Sequence, residues 1–261
     1  MSYTVNEGAR IHWRLQGSRR APALVLLHSI GTDLTIYDSA AQILSDDFLV
    51  LKLDLRGHGA SDATDEDYTL DLLARDALAA MAAAGIDRAI ICGTSLGGMV
   101  AMALAQLAPE RVAGLVLANT SALMDPALWP ERVATARAQG VAPILVGWAA
   151  RHLSPGWMRA FPARVESLEH AFAAIDPRGY AGCAAAIRDM DVLPGLAGVT
   201  APTLVIGGEH DTATPFAGHG DRIAATIPGA AVEILPTGHL ACLEQPESFA
   251  RAVKVFAARC G

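Results

Sequence analysis

The sequence predicts an α/β fold, a mostly parallel central sheet with helices on both faces and an inserted helical cap. Three observations carry that prediction. Short unbroken apolar runs alternate with helix-like stretches along most of the chain. The runs lack the in–out alternation of a half-exposed sheet, as strands covered on both faces do. The alternation fails once, over residues 121–196, where only helix-like stretches punctuated by prolines occur.

The elements follow in order. Residues 3–6 and 10–15 read as a hairpin turning at Glu7-Gly8. The buried strands are predicted at 23–28, 48–54, 89–93, 112–118, 203–207 and 231–235, with helices at 70–84, 97–107, 221–227 and 247–259. Within the cap, helices are expected at 127–139, 141–152, 157–175 and 178–190, separated by Pro126, Pro143, Pro155 and Pro177. The sheet domain then comprises 1–120 and 197–261, and the cap 121–196.

Composition narrows the function classes. With 261 residues, 52% of them hydrophobic, the chain closes a substantial core, which excludes bulk disorder. A net charge of −7 argues against a nucleic-acid surface or a polybasic membrane anchor, because both need clustered positive charge. No apolar run approaches the roughly 18 residues of a membrane span. The first residues have neither the basic nor the apolar region of a secretory signal. Cys92, Cys183, Cys242 and Cys260 lie far apart without a C-x-x-C pair, so neither a disulfide framework nor a zinc site is expected and a cytoplasmic location is the default.

The chemistry-bearing motif is Gly93-Thr94-Ser95-Leu96-Gly97, a G-x-S-x-G between a predicted strand and a predicted helix. A sharp turn there exposes the serine hydroxyl, the flanking glycines avoid clashes, and the helix N-terminus favours developing negative charge. An ordinary tight turn is the bland alternative. The partners of a nucleophilic serine follow in the order acid, then histidine. Asp211, in the loop after 203–207, and His239, after 231–235, meet that order. His210, Asn119 and His58 are weaker rivals. An oxyanion hole needs two backbone amides: Leu96 supplies one and Ile30, after 23–28, the other, with its neighbour Ser29 in reserve. His28 is expected to hold this loop by a side-chain hydrogen bond. The glycine-rich turn at 54–61 lacks the Lys-Ser/Thr ending of a phosphate loop and reads as structural.

Together these residues resemble the α/β-hydrolase superfamily and, more narrowly, the 3-oxoadipate enol-lactone hydrolases. The resemblance is strongest at 29–33, 93–99, 179–191 and 203–211 with Thr214-Pro215. It departs at His28, often asparagine in the family, and at Cys242, often a polar residue. The resemblance implies acyl transfer through Ser95, Asp211 and His239, with no metal or organic cofactor. It also implies a small anionic lactone as the binding partner. Other ester, lactone or carbon–carbon bond hydrolases and a triad-retaining ligand sensor are the competing readings. An anionic substrate calls for a local cation, since residues 121–195 hold seven arginines and seven acids and so no net positive field. Trp129 and Arg132, three apart on one helix face, are the expected substrate contacts. Trp148 is expected to add a flat wall, Ser29 to border the site, and Arg188 is the runner-up cation.

Overall fold

A computed structural model describes residues 2–260. Its eight-stranded sheet has the order β1-β2-β4-β3-β5-β6-β7-β8. The strands are β1 (Ser2–Asn6), β2 (Ala9–Gln16), β3 (Ala23–Leu27), β4 (Leu49–Leu53), β5 (Ala89–Thr94), β6 (Val112–Ala118), β7 (Thr203–Gly208) and β8 (Ala231–Leu235). β1 and β2 form the antiparallel hairpin, β2 runs antiparallel to β4, and every other pairing is parallel. The central strands are buried throughout, which is why they read as continuous apolar runs. β8 differs from the expectation. It is an edge strand, with Val232 and Ile234 about half exposed. An apolar run alone does not distinguish an edge from the centre of a sheet.

The helices of the sheet domain are α1 (Asp38–Leu44), α2 (Leu70–Ala84) and α3 (Leu96–Leu107), then α10 (Gly220–Thr226), α11 (Ala241–Glu244) and α12 (Pro246–Ala257). α2 matches its predicted span because both ends are written locally. Thr69 accepts a hydrogen bond from the Leu72 amide, and Gly85 closes the helix in the left-handed region. α1 and α11 have no counterpart among the predicted elements. Both are short, and α1 follows a 3-10 turn capped by Asp33. The chain passes from β3 out to β4 and back beyond β3 to β5. Right-handed crossovers therefore place α1 on one face and α2 with α3 on the other.

Between β6 and β7 the chain makes only helices: α4 (Pro130–Gln139), α5 (Ala142–Leu145), α6 (Trp148–His152), α7 (Pro155–Ala160), α8 (Pro162–Ala173) and α9 (Pro177–Arg188). Two predicted helices are each broken in two. The 141–152 stretch divides at Val146-Gly147, where Gly147 is left-handed (φ 69°). The 157–175 stretch divides at Phe161, which Pro162 forces out of the helical region. The insertion meets the sheet domain closely. A Cβ built on Gly179 of α9 would lie 2.3 Å from the Gly57 Cα, so two backbones touch where any side chain would separate them.

Candidate active site

Ser95 sits at the turn between β5 and α3 with φ 56° and ψ −119°, a conformation that a non-glycine residue adopts only when its surroundings impose it. Here the imposed geometry is legible. The Ser95 amide donates to the Ala118 carbonyl, and its carbonyl accepts from the Thr120 hydroxyl at 2.6 Å and from the Gly98 and Met99 amides. Gly93 and Gly97 admit no side chain: a Cβ on Gly93 would lie 2.1 Å from the Gly97 carbonyl oxygen, and one on Gly97 2.0 Å from that of Leu27. The turn thus packs backbone on backbone, and the Ser95 hydroxyl, making no hydrogen bond within the described protein, borders a cavity.

His239 lines the same cavity from the loop after β8. Its Nδ1 lies 2.9 and 3.0 Å from the two carboxylate oxygens of Asp211, in the loop after β7. The structure therefore brings the three predicted residues to the loops that follow β5, β7 and β8 at one end of the sheet. Burial tends to raise the Asp211 pKa, but His239, the Thr214 amide and the Asn119 side chain outweigh it and hold the group well below the usual carboxylate range. The Asn119 amide donates at 3.1 Å, the Thr214 hydroxyl at 3.1 Å and the Ala213 amide at 2.9 Å, so the carboxylate is anchored on every side.

The loop after β3 is held as expected. With its Nε2 accepting the Leu55 amide hydrogen at 2.8 Å, His28 donates from Nδ1 to the Ser29 carbonyl at 2.8 Å. His58, treated as a rival, accepts from the Gly31 amide at 3.1 Å and fastens the same loop. Burial, with His28 nearby, pushes its pKa down to about 3, so it stays a neutral acceptor. Ile30 reaches the cavity wall. Neither the Ile30 nor the Leu96 amide donates to another backbone or side-chain group among the described residues.

The cavity, of about 220 Å³, lies under the insertion. Trp129 and Arg132 both line it, with the guanidinium 4.8 Å from the indole ring centroid. Two expected contacts fall elsewhere. Trp148 is buried behind the wall, stacked on His152 with ring centroids 4.9 Å apart and packed against Phe172. Its predicted role as wall passes to His152, because the break at Gly147 turns α6 inward. Ser29 is fully buried, its hydroxyl donating to the Ile30 carbonyl, so it does not border the cavity. Arg188 pairs with Asp67 and Asp189 outside it.

Among the other lining residues, His152 and Arg151 are not singled out by the sequence, and Thr214 is so only within the resembling stretch. His152 donates from Nδ1 to the Trp148 carbonyl, accepts the His239 amide on its own carbonyl, and meets the His239 ring edge-on at 5.0 Å. Burial and the neighbouring His239 push its pKa down to about 3. Arg151 precedes it on α6, and Thr214 flanks Asp211. His152 and Arg151 stand in no motif, whereas Thr214 belongs to the Thr214-Pro215 pair of the resembling stretch.

Comparison with known proteins agrees with this geometry. A family profile described as alpha/beta hydrolase fold matches residues 22–246. The 3-oxoadipate enol-lactonase 2 of Acinetobacter baylyi is 35% identical over 91% of this chain and 89% of its own. The crystal structure of the enol-lactonase from Burkholderia xenovorans superposes with a TM-score of 0.94 at 34% identity, covering 98% of this chain and all of that one. That of a hydrolase from Pseudomonas aeruginosa does so with 0.93 at 40% identity, over 98% and 97%. The match across most of the sequence, together with a serine at the strained turn after β5, places the chain in the alpha/beta hydrolase family.

Proposed function

We propose that the protein opens the ring of 3-oxoadipate enol-lactone, giving 3-oxoadipate through an acyl-enzyme. The observation that carries the reading is one cavity shared by the Ser95 hydroxyl, an Asp211-paired His239 and an arginine that faces no acid. In this reading His239 Nε2 takes the Ser95 proton as the oxygen attacks the lactone carbonyl. Asp211 fixes the imidazole tautomer and stabilises the imidazolium, while the Ile30 and Leu96 amides receive the oxyanion. The His239 imidazolium returns that proton to the ring oxygen, which leaves as an enol, a better leaving group than an alkoxide. His239 then activates a water that attacks the acyl carbon, and the released enol tautomerises to the ketone. Arg132 meets the substrate carboxylate. The enol-lactonase relatives support the substrate, as does a cavity of about 220 Å³, below the roughly 300–1,000 Å³ usual for ligand sites and suited to a short acyl chain.

The test is a pair of kcat/KM values, for the enol-lactone and for a neutral aryl ester, in the native protein and in Ser95→Ala. Preference for the lactone by about a hundredfold, with loss of roughly four to six powers of ten in a folded Ser95→Ala, is expected. Equal rates on both substrates would remove the lactone assignment. A variant retaining a tenth of native turnover would remove the covalent route.

A further inference from the structure

Of the arginines in the insertion, three are neutralised at the surface: Arg137 by Asp67, Arg178 by Asp176, and Arg188 by Asp67 and Asp189. Arg132 and Arg151 differ. Both are only partly exposed, both line the cavity that holds Ser95, and neither meets a carboxylate within ion-pair distance among the described residues. Among the described residues, no acidic side chain lines that cavity. Arg132 lies on the Trp129 ring, and the Tyr180 phenol neighbours both guanidinium groups. Arg151 is fastened by donating to the Val146 and Ile144 carbonyls, at 3.0 and 3.2 Å, while its Nε is buried with no partner. Neutral carbonyls fix the guanidinium in place and leave its charge uncancelled.

Two like charges held together without an acid between them are unfavourable until an anion arrives. Burial and the adjacent Arg132 both work to lower the Arg151 pKa, which places the two groups in each other's field. We propose that Arg151 is a specificity-determining residue that acts with Arg132 as a two-guanidinium site for a carboxylate at the far end of the acyl chain. This rests on the reading of Ser95 as the nucleophile and deepens it. The cavity selects acyl groups whose terminal carboxylate reaches the insertion while the carbonyl meets Ser95. The class is the monoesters and internal esters of short dicarboxylic acids.

The test compares 4-nitrophenyl hydrogen adipate with 4-nitrophenyl hexanoate, which differ by the terminal carboxylate. Their kcat/KM ratio is internal to each variant, so general damage cancels. In the native protein the charged ester is favoured by about tenfold or more, and the preference shrinks as salt is raised. Arg151→Gln lowers the ratio about fivefold or more, and Arg151→Lys restores most of it. A ratio near one in the native protein, or an unchanged ratio in Arg151→Gln, overturns the proposal. If Arg151→Gln does not fold, the native ratio with its salt dependence and the lysine variant still decide. Enol-lactone turnover is measured alongside. A large Arg151-dependent ratio without lactone turnover supports the two-arginine site and removes only the lactone. Normal lactone turnover with an indifferent Arg151 does the reverse.

Discussion

Thr214 shows how much of the proposed catalytic constellation rests on residues that do no chemistry. Its hydroxyl donates to Asp211 Oδ2 at 3.1 Å and its amide to Oδ1 at 3.1 Å, so one residue grips both oxygens. Thr214→Val keeps the amide and the branched shape but loses the hydroxyl. Loss of a hydrogen bond to a charged group costs about 1.5–3 kcal/mol of stability, so Tm should fall by roughly 3–12 °C, and kcat/KM should fall as the carboxylate loosens. An unchanged kcat/KM would show that Asn119 and the two amides suffice. The sequence marks Thr214 only through the resemblance and does not show its grip on the carboxylate. Ser95, Asp211 and His239 were legible, because each role demands one residue type at the end of one strand. Arg151 and His152 were not, because an arginine and a histidine at the end of a predicted helix carry no pattern until the break at Gly147 turns them inward.

At the scale of elements, the contact between α9 and the loop after β4 governs how the insertion seats. Gly57, left-handed at φ 77°, and Gly179 meet backbone to backbone, and neither side yields as a flexible side chain would. Gly179→Ala should cost about 3 kcal/mol, the upper part of the overpacking range, and lower Tm by about 6–12 °C in a protein of this size. Gly156→Ala in α7 is the control: its Cβ would meet nothing within 4 Å, and Tm should hold or rise slightly. Equal shifts in the two variants would refute the close contact. The longer helices of the sheet domain and most strand ends were readable because caps, prolines and apolar runs are local, whereas the short α1 and α11 were not. The splitting of 157–175 is also written locally, at Pro162, which bars Phe161 from the helical region.

Across the whole molecule, buried neutral histidines set the response to acid. His58 and His152 stay unprotonated down to about pH 3 in the folded chain, whereas in the unfolded chain they titrate near 6.5. Between those values the unfolded state binds more protons. Stability is therefore full above about pH 6.5 and falls as pH drops toward 3. Each histidine should remove about 2 kcal/mol by pH 5, measured as the loss of unfolding free energy in denaturant titrations at pH 7 and 5. His58→Gln should lessen the difference between those two values by a similar amount. An identical pH dependence in that variant would exclude His58 as a source.

The sequence by itself determined the alternation of strands and helices, the place of the insertion, and the turn that presents Ser95, since hydrophobic period, capping and glycine spacing act over a few residues. It also set the order Ser95, Asp211, His239, because parallel strands deliver their following loops to one edge of the sheet. Only the tertiary structure decided which face of the insertion turned inward. That choice seated His152 against His239 and Arg151 in the cavity and placed Trp148 behind the wall, while the strand order left β8 with an open side. Such outcomes depend on contacts between segments far apart in the chain, where the shape and charge of one element select the partner of another.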